Sequence, residues 1–356
     1  MKLGLVGLPM SGKTTIFNAL TGQNRPTTMG MPGKLDVQMA VVEVPDPRLD
    51  ALTAMYEPKK KVPARITYAD IGGLTKGISE GGLSGPFRTE LSQMDGFLIV
   101  LRHFQNDAVP HPEETIDPQR DLTILDSEFL FTDLLTVENR ITRLNEEMSK
   151  GKNREANAKE LALFERLQAV LEEEKPLRDM ELSEDEQRRL RGYAFLTMKP
   201  RLIVLNTGEA AVEAAEVLDL GEGDRAIAIR GELEAEIAQL DEDDAAMFMQ
   251  EYDIEQPVRD RVIRESYRML SVQTFFTVGE DECRAWPHPV GSTAQKAAGT
   301  IHSDLEKGVI RAEIIEWDTL VELGSMAEAK SAGKLRLEGR DYLVQDGEVM
   351  HVRHSG

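Results

Sequence analysis

The chain has a single cysteine in 356 residues, Cys283, so an intramolecular disulfide, a CxxC redox pair and a cysteine zinc cluster are all excluded. Such sparing use fits a reducing compartment. Long apolar runs are missing too. Met1-Lys2 is followed by a short hydrophobic stretch that enters a glycine-rich loop directly, and nothing approaches the roughly 18 apolar residues of a membrane span. Positive charge is in deficit, with 42 basic against 63 acidic residues and a net charge of −21. That balance argues against indiscriminate attraction to nucleic acid or anionic membrane; any RNA contact must be local, and the acidity serves solubility. What is present is 41% hydrophobic and 29% charged content, enough to bury cores in two or three domains. Together these features predict a soluble cytoplasmic protein.

Gly7-Leu8-Pro9-Met10-Ser11-Gly12-Lys13-Thr14 fits the pattern GxxxxGK followed by Ser or Thr at every constrained position. Strand-like Lys2-Leu3-Gly4-Leu5-Val6 precedes it, and helix-compatible Thr15 to Leu20 follows, ending at Gly22. In that setting Gly7 and Gly12 allow backbone conformations that a Cβ would block. The N–H groups of Met10, Ser11, Gly12, Lys13, Thr14 and Thr15 can then wrap a β-phosphate at the positive end of a helix. Lys13 would neutralise β/γ oxygens. The Thr14 hydroxyl is the expected Mg²⁺ ligand, because this small cation prefers oxygen and keeps several waters beside one or two protein groups.

The next strand candidate, Ala64 to Ala69, ends at Asp70 and Ile71-Gly72-Gly73, a DxxG pattern. An aspartate at a strand's carboxyl end can hold Mg²⁺ through water, while Gly73 lets its backbone N–H approach a γ-phosphate. Phe97 to Leu101 reads as a buried strand, as does Arg201 to Leu205. The latter feeds Asn206-Thr207-Gly208-Glu209, where Asn206 and Glu209 are placed to straighten the loop and hydrogen-bond a base. Ala226 to Ile229 leads to Arg230 and Gly231, the last loop around that base.

Between these strands the period changes from sheet to helix. Leu130, Leu134, Val137, Ile141, Leu144 and Met148 recur at alternating four- and three-residue steps, a heptad seam. After polar Ser149 to Asn153, Leu161, Phe164, Leu167 and Leu171 restore an apolar face until Pro176. This reads as an antiparallel helical hairpin, and the charge density around its seam favours a projecting arm. From Val272 onward, short β segments (Val272 to Thr277, Ile310 to Ile315, Val349 to Val352), glycine turns and a helix from Thr293 to Leu305 describe a small α+β domain. The expected fold is therefore an α/β P-loop nucleotidase domain (1–123 and 197–271) with an inserted helical coiled-coil segment (124–196) and a C-terminal α+β domain (272–356).

With these residues in view, the chain resembles the YchF-type branch of the Obg-related P-loop nucleotidases over nearly its whole length. The likeness is carried by Pro45-Asp46-Pro47-Arg48-Leu49-Asp50, by Asp70-Ile71-Gly72-Gly73-Leu74-Thr75-Lys76-Gly77, by Ile301 to Gly308, by Lys334 to Tyr342 and by Gln345 to Met350. The resemblance implies a TGS-like C-terminal domain, ATP hydrolysis despite GTPase ancestry, and links to ribosomes and translation or stress control. It also implies a catalytic role for His111. Leu74 stands where Ras-type enzymes hold a water-orienting glutamine, and His111 aligns with the histidine which that family is held to bring to the γ-phosphate. By its surroundings alone, a loop histidine between Pro110 and Pro112 reads as solvent-exposed.

The chain departs from the family pattern in placing Met10, Ser11 and Thr14 where an asparagine, a small residue and a serine are usual. Lys34 replaces the first-switch threonine in the register set by Pro45-Asp46-Pro47, with Thr27 and Thr28 as substitutes only if the loop has shifted. The expected function is slow Mg²⁺-dependent hydrolysis of a nucleoside triphosphate in a ribosome- or translation-associated switch. ATP is favoured over GTP: Thr207 and Glu209 stand where guanine-specific relatives hold a lysine and an aspartate, which alters the geometry but leaves Glu209 able to accept from guanine, and the resemblance supplies the rest of the preference. The alternative is a non-catalytic, nucleotide-gated scaffold for a ribosomal or RNA partner.

Overall fold

The computed structural model describes residues 1–27, 35–72, 83, 85–151, 153–221 and 223–354. They fall into two compact units, Met1–Ala40 with Thr67–Arg259, and Val41–Ile66 with Asp260–Gly356. In chain order the strands are β1 (Lys2–Val6), β2 (Asp36–Glu43), β3 (Lys60–Val62), β4 (Arg65–Gly72), β5 (Gly96–His103), β6 (Arg201–Thr207), β7 (Ala226–Arg230), β8 (Val272–Thr277), β9 (Glu282–Pro289), β10 (Val309–Glu316), β11 (Arg336–Glu338) and β12 (Glu348–His354). The first helices are α1 (Lys13–Thr21), α2 (Pro47–Tyr56), α3 (Gly85–Ser92), α4 (Pro118–Ser149) and α5 (Arg154–Glu172).

The sheet of the first unit has the order β2-β4-β1-β5-β6-β7. β1 runs parallel to β4, with Leu5 opposite Asp70, and parallel to β5, with Leu5 opposite Leu98. β5 is parallel to β6, and β6 to β7. Strands covered on both faces bury consecutive residues and so show near-continuous apolar runs, as in Phe97–Leu101 and Leu202–Leu205. The chain passes from β1 to β4 on one side and then to β5 on the other. The order thus reverses at β1, and a crevice at the carboxyl ends of the strands forms at such a reversal.

The hairpin follows the heptad reading and has a core of its own. Val137 of α4 packs with Leu163, Phe164, Leu167 and Leu171 of α5, Leu130, Leu134 and Ile141 join them partly buried, and Leu144 is buried further along α4. Arg140 clamps Glu160 across the pair through Nε at 2.8 Å and Nη2 at 3.0 Å, a forked contact that fixes register as well as adding attraction. Asp133 ties α4 to the returning chain by accepting from Leu196 N, Thr197 N and Thr197 Oγ1.

In the second unit the sheet order is β11-β10-β12-β8-β9-β3. β3 comes from the excursion Val41–Ile66 and lies parallel to β9, with Lys61 opposite Cys283. The same excursion supplies α2, capped by Asp46 with Pro47 in the first turn. Arg48 donates to Asp46 and, through Nη1 at 2.8 Å, to Asp346, so two of the family-like motifs meet here. The single helix expected from Thr293 to Leu305 is two, Ala294–Ile301 and Ser303–Gly308. His302 breaks it: its backbone is extended and its Nδ1 accepts the Asp304 N–H at 3.2 Å, capping the second piece. Among the described residues, no helix is long and apolar enough to cross a membrane.

Candidate functional site

The loop after β1 turns through two residues with left-handed backbone, Met10 (φ 65°) and Gly12 (φ 86°). Its glycines are required by close approach. A Cβ on Gly7 would stand 2.3 Å from Val100 O, and one on Gly12 would stand 2.1 Å from Asn206 Nδ2. Lys13 opens α1, and its buried Nζ donates to Gly7 O and Leu8 O at 2.9 Å each. Burial pulls the Lys13 ammonium down to about 8, while the nearby Asp70 charge pulls the other way.

Thr14 and Asp70, 56 positions apart in sequence, are in contact: Thr14 Oγ1 donates to Asp70 Oδ2 at 2.7 Å. Burial raises the Asp70 carboxyl above its ordinary range, opposed by the Thr14 hydrogen bond and the Lys13 charge. Asp70 Oδ1 is buried without a hydrogen-bond partner among the described residues. A hydroxyl beside a carboxylate with one unmet oxygen is a hard-oxygen donor set, and it fits Mg²⁺. Gly73, Lys34 and Thr28 lie outside the described residues, as do Leu74 to Gly77.

At the other end of the crevice Asn206 is buried and donates Nδ2 to Ser11 O at 3.0 Å. It is wedged between Gly12 and Gly231, where a Cβ on Gly231 would stand 2.3 Å from Asn206 Oδ1. The Thr207 hydroxyl faces Ile229 O at 3.2 Å, Glu209 is exposed on the turn that follows, and Arg230 donates to Tyr252 O at 2.7 Å. Thus the structure brings Ser11, Gly12, Asn206 and Gly231 together, while the Arg230 side chain is held on Tyr252 O and Glu209 is exposed. Met10 and Thr15 are half-buried in the loop and the first turn of α1.

Sequence reasoning missed Phe104. Its ring lies within 3.6 Å of the position a Gly12 Cβ would take, and its Cβ lies 3.8 Å from that of Gly208, so it borders the crevice between the phosphate loop and the 206–209 turn. The signal was an aromatic residue just past a buried strand. Arg102 was missed as well: it is 2% exposed at the end of β5, donates to Phe104 O at 3.1 Å, and stacks on the Phe104 ring. His111, expected from its surroundings to be exposed, is buried. Its Nδ1 accepts the Glu113 N–H at 3.0 Å and its Nε2 faces Asp121 Oδ2 at 2.9 Å. The burial comes from an acid ten residues downstream in the first turn of α4, which local sequence does not announce.

Comparison with known proteins supplies the affiliation. Residues 2–139 match the family model MMR_HSR1, described as a 50S ribosome-binding GTPase, and residues 272–355 match YchF-GTPase_C, described as a protein of unknown function. The chain is 40% identical over 361 residues to the "Ribosome-binding ATPase YchF" of Pasteurella multocida, with 99% of each chain covered. It is 39% identical over 362 residues to that of Bacillus subtilis, covering 99% of this chain and 98% of the relative. Identity to "Obg-like ATPase 1" of Caenorhabditis elegans is 35% over 366 residues, covering 100% and 92%. The solved structure of the Schizosaccharomyces pombe YchF GTPase superposes with a TM-score of 0.81 at 30% identity, covering 99% of this chain and 97% of that one. A P-loop sheet with an inserted hairpin, a matching C-terminal model and full-length identity at this level have one reading: the chain belongs to the YchF family.

Proposed function

We propose that this protein hydrolyses the γ-phosphoryl bond of a nucleoside triphosphate, ATP in preference to GTP, as a slow switch that works with the ribosome. The observation that carries the proposal is the Thr14–Asp70 contact beside the buried Lys13, a cation-binding pair next to a phosphate-binding ammonium. The names of the relatives, which call them ribosome-binding ATPases, support the choice of nucleotide and of partner.

In this reading the loop amides from Met10 to Thr15 hold the phosphates, and Lys13 leaves its carbonyl partners to meet β and γ oxygens. Thr14 and Asp70 would hold Mg²⁺, which would supply positive charge to offset that of the phosphates. Gly73 would donate its N–H to the γ-phosphate. Water attacks the γ-phosphorus while the bridging bond to the β-phosphate breaks, and His111 would orient that water or take its proton. Asn206 sets the loop by bonding Ser11 O, Phe104 and Gly231 would border the base, and the exposed Glu209 would meet its edge.

The test is single-turnover hydrolysis by purified protein with Mg²⁺. Activity that disappears with Lys13→Ala supports an enzyme. Tight binding with no turnover in the parent protein leaves the nucleotide-gated scaffold as the reading.

A further inference from the structure

His111 sits in the connection between β5 and α4, with its side chain 3% exposed. Both ring nitrogens are engaged inside the protein, Nδ1 by the Glu113 N–H and Nε2 by Asp121 Oδ2. A nitrogen that accepts an amide hydrogen carries no proton, so the ring proton is on Nε2 and is donated to Asp121. In that arrangement the ring has no nitrogen left to orient a water or accept its proton.

The acid that holds it is itself well supported. Asp121 is 2% exposed, and Arg120 closes on its other oxygen, Oδ1, through Nε at 3.2 Å and Nη2 at 2.8 Å. Arg120 also grips Thr115, donating to its Oγ1 and to its carbonyl at 2.8 Å each. Arg102 anchors the start of the same connection on Phe104 O. If the His111 bond opens, Asp121 keeps its Arg120 pair, so no uncompensated buried charge is left behind. The contact can therefore break and reform.

We propose that Asp121 is a positioning residue that latches His111 in a resting state, so that hydrolysis waits on opening of the His111–Asp121 bond. The proposal rests on the catalytic reading of His111. Asp121 lies in the first turn of α4, the helix that continues as one side of the hairpin, so a macromolecule that shifts α4 acts on the latch directly.

The experiment compares single-turnover hydrolysis of ATP with Mg²⁺ in the full chain and in Asp121→Asn, Asp121→Ala, His111→Ala and the double variant His111→Ala/Asp121→Asn. In Asp121→Asn one carbonyl must serve both Arg120 and His111, which weakens the latch while keeping its shape; this variant decides the matter should Asp121→Ala fail to fold. The latch predicts at least a threefold faster rate in Asp121→Asn at unchanged ATP affinity, at least a tenfold slower rate in His111→Ala, and a double variant as slow as His111→Ala. Nitrogen-15 spectra of labelled histidine should show one fixed Nε2–H tautomer in the parent and tautomer exchange in Asp121→Asn. An equal or slower rate in Asp121→Asn, with His111→Ala still impaired, overturns the latch and leaves catalysis by His111 standing. An unchanged rate in His111→Ala overturns the catalytic reading and the latch with it.

Discussion

Thr14 Oγ1 donates to Asp70 Oδ2 over 2.7 Å, joining the start of α1 to the carboxyl-terminal half of β4 at the point where the sheet order reverses. If the two groups serve one cation, as proposed, they should behave as a unit. Thr14→Ala and Asp70→Asn are each expected to weaken triphosphate affinity at least tenfold with Mg²⁺ present, and the double variant should be little worse than the poorer single. With Mg²⁺ chelated, the losses should shrink to about twofold. Titration of a non-hydrolysable triphosphate with and without the metal checks this, and losses of equal size in both conditions would remove the pair from cation binding.

Lys13 gives a pH dependence with two opposite signs. Its ammonium is lowered from 10.5 to about 8 by burial, so between those values the folded chain holds fewer protons than the unfolded one, and this group's contribution to stability rises with pH. Triphosphate binding runs the other way, since phosphate prefers the charged lysine. Affinity is expected to be flat below pH 7 and to fall toward tenfold per unit above pH 8. Lys13→Ala should lose at least a hundredfold in triphosphate affinity, keep its nucleoside affinity and native circular dichroism, and show no such slope. Calorimetric titrations from pH 6.5 to 9.5 on both proteins decide it: a slope shared by parent and variant belongs to some other group.

The two loop glycines should be intolerant of alanine for different reasons. At Gly7 the added Cβ meets a backbone carbonyl, Val100 O, at 2.3 Å, and a strand in mid-sheet cannot yield. At Gly12 it meets Asn206 Nδ2 at 2.1 Å in a backbone conformation with φ 86°. Each change should destabilise the first unit by about 2 kcal/mol or more. Gly85→Ala, where a Cβ would meet nothing within 4 Å, is the control and should be near neutral. Urea midpoints measure all three, and a Gly7 variant as stable as the control would contradict the packing described.

Much of this fold was legible because it is written in long local signals. β5 and β6 are unbroken apolar runs, the phosphate loop is a spaced pattern, and α4 carries a heptad seam over six positions that are buried or half-buried along the helix. What sequence hid was written between distant residues. β9 contains Pro287 and Pro289, which argue against a strand, yet both lie opposite β8 residues, Thr274 and Val272. β3 has only three residues and is a strand by virtue of β9. In the site, Lys13, Thr14 and Asp70 could be read from spacing, whereas the burial of His111 depends on Asp121 and the role of Asn206 depends on two glycines that leave room for it.

A preference for adenine is predicted from how few groups remain to read guanine. Asn206 is committed to Ser11 O, and the Thr207 hydroxyl to Ile229 O, so neither supplies the long apolar stem that a lysine would lay over a base. Glu209 alone could accept from the two donors on guanine's edge, and it is an exposed side chain on a turn. One exposed carboxylate gives little discrimination, because its hydrogen bonds replace equally good ones to solvent. Phe104, beside Gly12 and Gly208, offers a ring face that serves either purine. ATP is therefore expected to bind about tenfold more tightly than GTP under the same Mg²⁺, and Glu209→Ala should reduce GTP affinity more than ATP affinity. Parallel titrations of both nucleotides on both proteins test the pair of claims: a clear GTP preference in the parent chain that vanishes in Glu209→Ala would show that this carboxylate reads guanine after all.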